Sequence, residues 1–363
     1  MNDLQGQRYR GNEAALPWSA EADSAGGDGR AAIFEAEKEG IAVWIKREAT
    51  ATWAACGAFE WVALAYLATS GALIAVFAEN LGHPVKLIGA QALVAAVILI
   101  LCRVDARSAG PEGWNREGRS RTGKNICSTA TQKFWHFCRH WYPHLFFLFC
   151  FEEMGRLVHL VSTRWQDAKL IAFDHWLTGV NPSLWLERLA HPALNEFMQF
   201  AYFTYFLFLL ILGGILYYRR DWESYWGVMT YSAIGYVLGY LISIFFPVQS
   251  PWFTFMGMWH SDLAGGTFTA LINLIEKCGR VHGAAFPSQH VAGAVAALLG
   301  AWRHRRWVFW TFLPCVFCMC VSTVYVRNHY VADVLGGMAT GTLGYVIGSW
   351  IMKRRGAVAT AAQ

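Results

Sequence analysis

Residues 307–352 run WVFWTFLPCVFCMCVSTVYV, RNHYVAD and VLGGMATGTLGYVIGSWIM in succession. The outer two parts, Trp307–Val326 and Val334–Met352, contain no Asp, Glu, Lys or Arg. Each is close to the length of about 20 apolar residues that a helix needs to cross a membrane. The stretch therefore predicts two membrane-spanning helices joined by a short polar turn.

The composition of the whole chain points the same way. Its 363 residues are 55% hydrophobic and only 15% charged, whereas about 25% charged is usual for soluble domains. The net charge of +5 is spread over this length, so no concentrated basic face predicts a nucleic-acid partner. The 9 cysteines predict no disulfide framework, and Cys315 and Cys318 are interpreted as packing within an apolar run.

Six more apolar runs predict further spans, which brings the expected number to eight. Uninterrupted runs argue against the alternating pattern of a membrane β-barrel. The predicted fold is therefore all-α, a polytopic integral membrane protein. The six runs are Thr52–Ala78, Leu87–Cys102, Pro143–Val161, Phe197–Tyr218, Trp226–Phe246 and Val281–Trp302.

Basic residues near the ends of these runs predict the orientation, because cytoplasmic loops are enriched in Lys and Arg. Residues 103–142, Arg219-Arg220, Arg303–Arg306 and Lys353–Arg355 all fall on one side when spans are counted along the chain. We expect that side, with both termini, to be cytoplasmic. The expected domains are a flexible tail (1–48), two accessory spans (49–102), a basic cytoplasmic loop (103–142), a six-helix transmembrane domain (143–352), to which the motifs described below assign the catalytic role, and a C-terminal tail (353–363).

The segment Phe286-Pro-Ser-Gln-His290 stands where an apolar helix begins, on the side away from the basic clusters. A helix N-terminus offers free N–H groups and the positive end of a dipole, which suit a phosphate. Ser288 adds a hydroxyl and His290 a titratable imidazole. The alternative is that Ser288 only caps the helix and His290 is an interfacial polar residue.

The turn inside the opening stretch carries Arg327, His329 and Asp333. The spacing of four between His329 and Asp333 puts imidazole and carboxylate on one helix face, where the carboxylate can hold one ring nitrogen and leave the other free to react. Arg327 supplies a fork for phosphate oxygens. The alternatives are an ion pair that merely anchors the helix end, or a metal site at His290, His329 and Asp333, which lacks a recognisable ligand spacing.

A third segment on the same side, Phe246-Pro-Val-Gln-Ser-Pro-Trp252, ends a span at a proline. It predicts a lid or re-entrant loop, with Trp259 and Gly265-Gly266 following. Lys277 and Arg280 could add positive charge there, although isolated loop cations are more often simply solvated.

These motifs resemble the type-2 phosphatidic acid phosphatase superfamily, in which Pro-Ser-x-His is followed by Ser and then His-x-x-x-Asp. Phe286–His290, Val324–Asp333, Phe246–Pro251 and Asp174–Trp185 are similar to its branch of inositol phosphorylceramide synthase-like proteins. The resemblance covers about residues 143–352 and implies a six-helix core. It departs from the broad pattern in lacking Lys and Arg in the first motif and in having Thr323 directly after Ser322.

The resemblance implies a mechanism. His329 would attack phosphorus, Asp333 would orient it, and His290 would act as acid and then base. Ser288, the N–H of Gln289, and Arg327 would hold the phosphate oxygens, with no metal or cofactor. We expect a lipid phosphatase or phosphotransferase acting on a lipid phosphate ester at the non-cytoplasmic face, with membrane lipids as its other partners. The alternative is a non-catalytic lipid-headgroup-binding or transport protein.

Overall fold

The computed structural model describes residues 43–44, 46–108 and 129–361. Residues 54–363 form one compact unit. Within the described part of this unit all regular structure is helical, and the one β-type pairing is an isolated bridge between Val248 and Ala284. The described residues of 1–53 are also helical. Most of the predicted tail and the middle of the predicted basic loop, 109–128, lie outside the described residues.

The helices of the compact unit are numbered here in chain order. Two 3-10 turns, Ala78–Asn80 and Glu187–Leu189, accompany them. Residues 103–108 and 130–142, which the sequence assigned to a basic loop, are helical. The helices are α1 (Ala58–Val76), α2 (Pro84–Ser108), α3 (Ala130–Leu157), α4 (Asp167–Thr178), α5 (Pro182–Leu186), α6 (Pro192–Phe203), α7 (Tyr205–Tyr218), α8 (Trp222–Phe245), α9 (Pro251–Thr254), α10 (Thr267–Gly279), α11 (Gln289–His304), α12 (Arg306–Tyr325) and α13 (Val331–Ala361).

The all-α, polytopic prediction is confirmed, while the expected number of eight spans stays a prediction. Each predicted run contains a helix, yet only 5 helices in the described residues are long and apolar enough to cross a membrane, or 6 if the pair α6–α7, bent by 40°, is one span. Helix α11 is only 16 residues long. Helix α3 is long enough at 28 residues, but its charged and polar side chains lower its hydropathy.

The centre of the unit is α8, which packs against both α11 and α13. Of the residues in its most apolar 18-residue stretch, 72% are buried. Small residues allow the close approach: a Cβ at Gly344 of α13 would lie 2.5 Å from the carbonyl oxygen of Tyr231 and 2.6 Å from the amide nitrogen of Gly235, both on α8. Such small-residue contacts are a common way for helices to pack in membranes, where water does not drive them together.

The accessory helices are held to the core by a buried polar group of side chains. Glu153 of α3 accepts hydrogen bonds from Tyr66 of α1 (3.2 Å) and from Gln91 of α2 (2.9 Å). The same Gln91 amide donates to Ser70 of α1 at 2.8 Å. Because polar groups in an apolar interior are costly without partners, this network fixes the register of α1 and α2 on α3.

An ion network joins the other end of the same three helices. Arg139 of α3 donates to Asp105 of α2 at 3.1 Å, to Glu60 of α1 at 3.3 Å and to the carbonyl of Ala55 at 3.0 Å. His136 lies 3.4 Å from Asp105. Both carboxylate side chains are at most 4% exposed, so Arg139 is the buried cation that neutralises them.

Two of the predicted basic clusters meet at one end of the core. Arg305, at the junction of α11 and α12, pairs with Asp221, at the N-terminus of α8, at 2.5 Å. The turn at residues 219–222 therefore lies beside the turn at 303–306. These turns are at the opposite end of α8 and α11 from Phe246 and Ser288, where the predicted site residues lie.

Candidate active site

The N-terminus of α11 has Ser288 as its N-cap, the role that the sequence analysis gave as the alternative to binding phosphate. The Ser288 hydroxyl accepts from the backbone N–H of Val291 at 3.4 Å, and the Ser288 N–H donates to the carbonyl of Asp333 at 3.0 Å. A Cβ at Gly337 would lie 2.5 Å from the Ser288 carbonyl oxygen. Only glycine at that position therefore lets α13 bring its first turn against the start of α11.

The first turn of α13 is capped from another helix. Both carboxylate oxygens of Asp174 on α4 accept backbone N–H groups, those of Val331 and Ala332, each at 2.9 Å. Burial raises the pKa of Asp174, and these two N–H donors partly oppose that shift. Asp174 entered the sequence analysis only as part of a resembling segment; the structure shows that it holds the turn that carries His329.

Asp167 lies two turns before Asp174 on α4. It organises the proline-containing loop. Its carboxylate accepts from the Tyr330 hydroxyl at 2.9 Å, from the Thr254 hydroxyl at 2.9 Å and from the backbone N–H of Gln249 at 3.1 Å. The segment Phe246–Trp252, predicted as a lid or re-entrant loop, is thus tied to the turn before α13 through one buried carboxylate. Sequence reasoning did not single out Asp167.

His290, His329 and Asp333, all predicted, are brought into one line. The His329 Nδ1 lies 3.3 Å from Asp333 Oδ2, and the His329 Nε2 lies 3.2 Å from the His290 Nδ1. The same Asp333 oxygen accepts the backbone N–H of Tyr330 at 2.8 Å. Asp333 is fully buried and His329 is 4% exposed, so the carboxylate has little choice of position.

This line fixes the chemistry of His329. An ionised Asp333 accepts a proton-bearing Nδ1, which leaves the lone pair of Nε2 directed at His290. Burial lowers the pKa of His329 to about 4, so the ring is neutral near pH 7. A neutral imidazole with an oriented, unprotonated nitrogen is a nucleophile.

His290 has a second partner that the sequence analysis missed. The Tyr202 hydroxyl lies 2.8 Å from the His290 Nε2. The ring of Tyr205 meets the same imidazole edge-on, at 4.6 Å between centroids, while its hydroxyl bonds Tyr236 at 3.1 Å. Both tyrosines belong to the apolar run Phe197–Tyr218, in which nothing distinguishes them from ordinary packing residues.

Arg327 is buried beside the site but has protein partners of its own. Its guanidinium donates to Glu187 at 3.1 Å and to the Ser261 carbonyl at 2.7 Å, and it stacks over Trp259 at 4.1 Å. Burial lowers the pKa of Arg327, and Glu187 opposes that shift. A phosphate-binding role for Arg327, two residues from His329, therefore stays a prediction.

Arg280 offers a second cation near the histidines. It pairs with Glu276 on α10 and stacks on Trp252 at 4.8 Å, and its Nη1 is buried without a hydrogen-bond partner among the described residues. Glu276 also accepts from the Asn328 amide at 2.6 Å. Glu276 and Arg280 both lie close enough to Tyr202 to act on it electrostatically. Lys277, the other predicted loop cation, lies in the last turn of α10.

The metal alternative finds no support in the described residues, which contain no group of three or more His, Cys, Asp or Glu side chains able to hold a metal ion.

Gln289 is buried, with its amide against Gly239 and 3.4 Å from the Pro287 carbonyl. Its side chain therefore packs in the core, and its predicted contribution is the backbone N–H at the start of α11.

Replacing Asp174 by alanine is expected to lower both stability and activity. Two buried N–H groups would lose their acceptor, at about 1–3 kcal/mol for each unsatisfied group, and the His329 turn would lose its support. Thermal unfolding in detergent and turnover, measured together, check this. His175→Ala, at the exposed neighbouring position, is the matched control. Wild-type behaviour of Asp174→Ala would show that the turn needs no cap from α4.

Fold and site together define a multi-pass helical membrane protein with a buried His–His–Asp line between two helix N-termini. Residues 168–347 match the family model described as the PAP2 superfamily, and this part of the chain, which includes every site residue named above except Asp167, belongs to that superfamily. The superfamily generally comprises phosphatases, so membership suggests phosphatase-type activity. No curated protein and no solved structure matches the chain. The inositol phosphorylceramide synthase-like branch remains a prediction.

Proposed function

We propose that this protein is a membrane-embedded lipid phosphatase or phosphotransferase that works through a phosphohistidine on His329. The observation that carries the proposal is the line of contacts from Asp333 through His329 to His290, 3.3 Å and 3.2 Å long. It supplies an oriented nucleophile and, next to it, a second titratable group. A site that only bound phosphate would need cations, but not a nucleophile beside an acid.

In the first step, His329 Nε2 attacks phosphorus and forms a P–N bond while the P–O bond to the leaving alcohol breaks. His290 acts as an imidazolium: its Nδ1 proton goes to the leaving oxygen, and the neutral ring keeps its Nε2 proton. Asp333 holds the Nδ1 proton of His329 and stabilises the positive charge that develops on its ring. The phosphoryl group enters between two nitrogens that lie 3.2 Å apart in the unliganded site, so His290 moves aside as substrate binds.

In the second step, an acceptor hydroxyl gives its proton to the unprotonated His290 Nδ1. Its oxygen attacks phosphorus, the P–N bond breaks, and His329 is regenerated. With water the product is free phosphate; with an alcohol it is a new phosphomonoester. Hydrolysis and transfer thus share one intermediate and differ only in the acceptor.

The charge on the phosphoryl oxygens requires donors placed in advance. The Ser288 hydroxyl and the backbone N–H of Gln289 stand at the N-terminus of α11, where the helix dipole also favours an anion. Two cations could serve: Arg327, two residues before His329, and Arg280, which acts electrostatically on Tyr202, the partner of His290. Arg280, with its unpartnered Nη1, would compensate for the Lys and Arg that the first motif lacks.

We place the reaction at the non-cytoplasmic face. The basic turns at 219–222 and 303–306 lie at the far ends of α8 and α11 from the histidines, and basic residues favour the cytoplasmic side. A lipid is the substrate because the site lies at the ends of apolar helices, where a headgroup can enter while its acyl chains remain in the bilayer.

The test is to incubate the purified protein with a panel of radiolabelled lipid phosphates, with and without hydroxyl acceptors, and to separate free phosphate from new lipid. His329→Ala runs beside it. Free phosphate that does not depend on an acceptor identifies a phosphatase, and label in a new lipid identifies a transferase. Binding of the lipids without any turnover would favour the non-catalytic alternative and overturn the proposal.

The pH dependence of kcat/KM offers a separate check. His329 attacks only when it is unprotonated, and its pKa is lowered to about 4 by burial. We therefore expect the acidic limb that reports protonation of His329 to lie near pH 4, since kcat/KM reports the groups of the free enzyme. An acidic limb near the ordinary histidine value of about 6.5 would mean that the nucleophile is not buried as described.

A further inference from the structure

Both nitrogens of the His290 ring have hydrogen-bond partners, and only one of the nitrogens faces the proposed nucleophile. Its Nδ1 lies 3.2 Å from His329, while its Nε2 lies 2.8 Å from the Tyr202 hydroxyl on α6. The Tyr202 ring also lies against the imidazole, at 5.0 Å between centroids. Since Nε2 is occupied, Nδ1 is the nitrogen that must deliver and collect the proton.

A hydroxyl is suited to this position because it both donates and accepts. When His290 is protonated, Nδ1–H faces the reacting group and Nε2–H donates to the Tyr202 oxygen. When Nδ1 has given up its proton, the neutral ring keeps the Nε2 proton and still donates to Tyr202. The contact therefore survives each change of protonation in the cycle.

A charged group on α10 lies behind Tyr202. Glu276 acts electrostatically on Tyr202, with Arg280 partly opposing it, and it accepts the Asn328 amide at 2.6 Å. Because the negative charge of Glu276 lies on the Tyr202 side of His290, it favours the protonated ring.

Several other titratable or charged groups surround His290. Among the described residues, the titratable or charged side chains that face it are Tyr202, Tyr205 and His329. Behind these stand Tyr236, Asp333, and the Glu276–Arg280 pair. His329 opposes protonation of His290, Asp333 favours it from behind His329, and Arg280 offsets part of the charge of Glu276. Tyr205 bonds Tyr236 rather than the imidazole nitrogens.

We propose that Tyr202 is a positioning residue for the acid–base histidine: it holds the Nε2 side of His290 so that Nδ1 serves the reaction. The inference rests on the proposed function. It extends the site from the motif residues to α6 and α10, and it assigns a role to a tyrosine far from both motifs in the sequence.

The test compares Tyr202→Phe with Tyr205→Phe in detergent micelles, on phosphatidic acid and on nitrophenyl phosphate. Both variants remove one hydroxyl from a ring that touches His290, but only the first loses a bond to it. The alcohol leaving from phosphatidic acid needs a proton, whereas nitrophenolate leaves readily without one. General acid catalysis contributes about 10²–10⁴-fold, so its impairment is visible only with the first substrate.

We expect Tyr202→Phe to lower kcat on phosphatidic acid by roughly 10–100-fold, part of the general-acid contribution. KM should change little, nitrophenyl phosphate turnover should stay near wild type, and the alkaline limb of kcat should move to lower pH because protonated His290 loses an acceptor. Glu276→Gln should move that limb in the same direction. Tyr205→Phe should leave all four readouts unchanged.

Equal losses on both substrates, or a Tyr205→Phe variant as impaired as Tyr202→Phe, would show a packing role and overturn the inference. Wild-type behaviour of Tyr202→Phe would also overturn the inference. The proposed function would still stand in that case if His329→Ala had lost all turnover. If Tyr202→Phe does not fold, the test is made with Glu276→Gln, and an alkaline limb of kcat that does not move counts against the inference. No turnover of either ester by the wild-type protein would overturn the proposed function and this inference with it.

Discussion

Replacing His329 by alanine is expected to abolish turnover while leaving the protein folded. Removing a nucleophile that acts with its neighbours as a unit costs on the order of 10⁶-fold in rate where it has been measured in a protease, so no activity should remain above background here. The structural cost should be small by comparison, because His329 lies in the turn between α12 and α13 and Asp333 keeps its hydrogen bond from the Tyr330 N–H. Initial rates and thermal unfolding in detergent, measured on the same sample, check both parts.

The intermediate gives a sharper measurement than the loss of rate. Rapid acid-free quenching of the wild-type protein with labelled substrate should trap label on the chain as an alkali-stable, acid-labile phosphohistidine. His329→Ala should trap none. His290→Ala, which keeps the nucleophile, should still take label from nitrophenyl phosphate, whose leaving group needs no proton. Label trapped on the His329→Ala chain would show that the nucleophile is a different residue.

The two motifs could be predicted because their chemistry is local in the sequence. His329 and Asp333 are four residues apart, and a helix start puts such residues on one face. Ser288 and His290 likewise stand together at the beginning of a helix. What joins the two motifs, the 3.2 Å contact between His290 and His329, follows only once α11 and α13 are packed with their N-termini side by side. The resemblance anticipated that pairing; the spacing alone did not.

The positioning residues could not be predicted for the same reason. Tyr202 is 88 positions from His290, and Asp174 is 157 positions from Val331. An aromatic in an apolar run is ordinary packing until its hydroxyl is seen to meet a histidine. An aspartate in a short polar segment is ordinary until its two oxygens are seen to cap a helix that is distant in the chain.

One predicted span, Val281–Trp302, contains less helix than its apolar composition indicated. Val281–Trp302 lacks charged residues, but its first part is irregular: Ala285 donates to the Val248 carbonyl at 3.1 Å, and Val248 donates to Gly283 at 3.2 Å. That backbone pairing stops α11 from starting before Gln289. It also ties the loop after α8 to the segment that leads into the Pro-Ser-Gln-His turn, so the shortened helix and the formation of the site have one cause.

Arg139→Leu is expected to be the most destabilising single substitution outside the site. Arg139 is the cation shared by Glu60 and Asp105, and leucine keeps an apolar side chain on α3 while removing the charge. Breaking a buried ion pair by removing one partner costs about 3–5 kcal/mol, because the remaining charge is left uncompensated; here two carboxylates would be left. We therefore expect a large fall in the unfolding temperature, read out by thermal denaturation in a mild detergent.

The controls separate this electrostatic cause from a general intolerance of α3 to substitution. Lys133→Leu makes the same kind of change at an exposed position of that helix and should leave the unfolding temperature nearly unchanged. Adding Glu60→Gln to Arg139→Leu removes one of the two orphaned charges and should restore part of the lost stability. A loss no larger than that of Lys133→Leu would mean that water reaches the cluster and screens it. In that case the packing of α1 and α2 on the core would depend on the Glu153 network, whose hydrogen bonds hold the same three helices without requiring a buried cation.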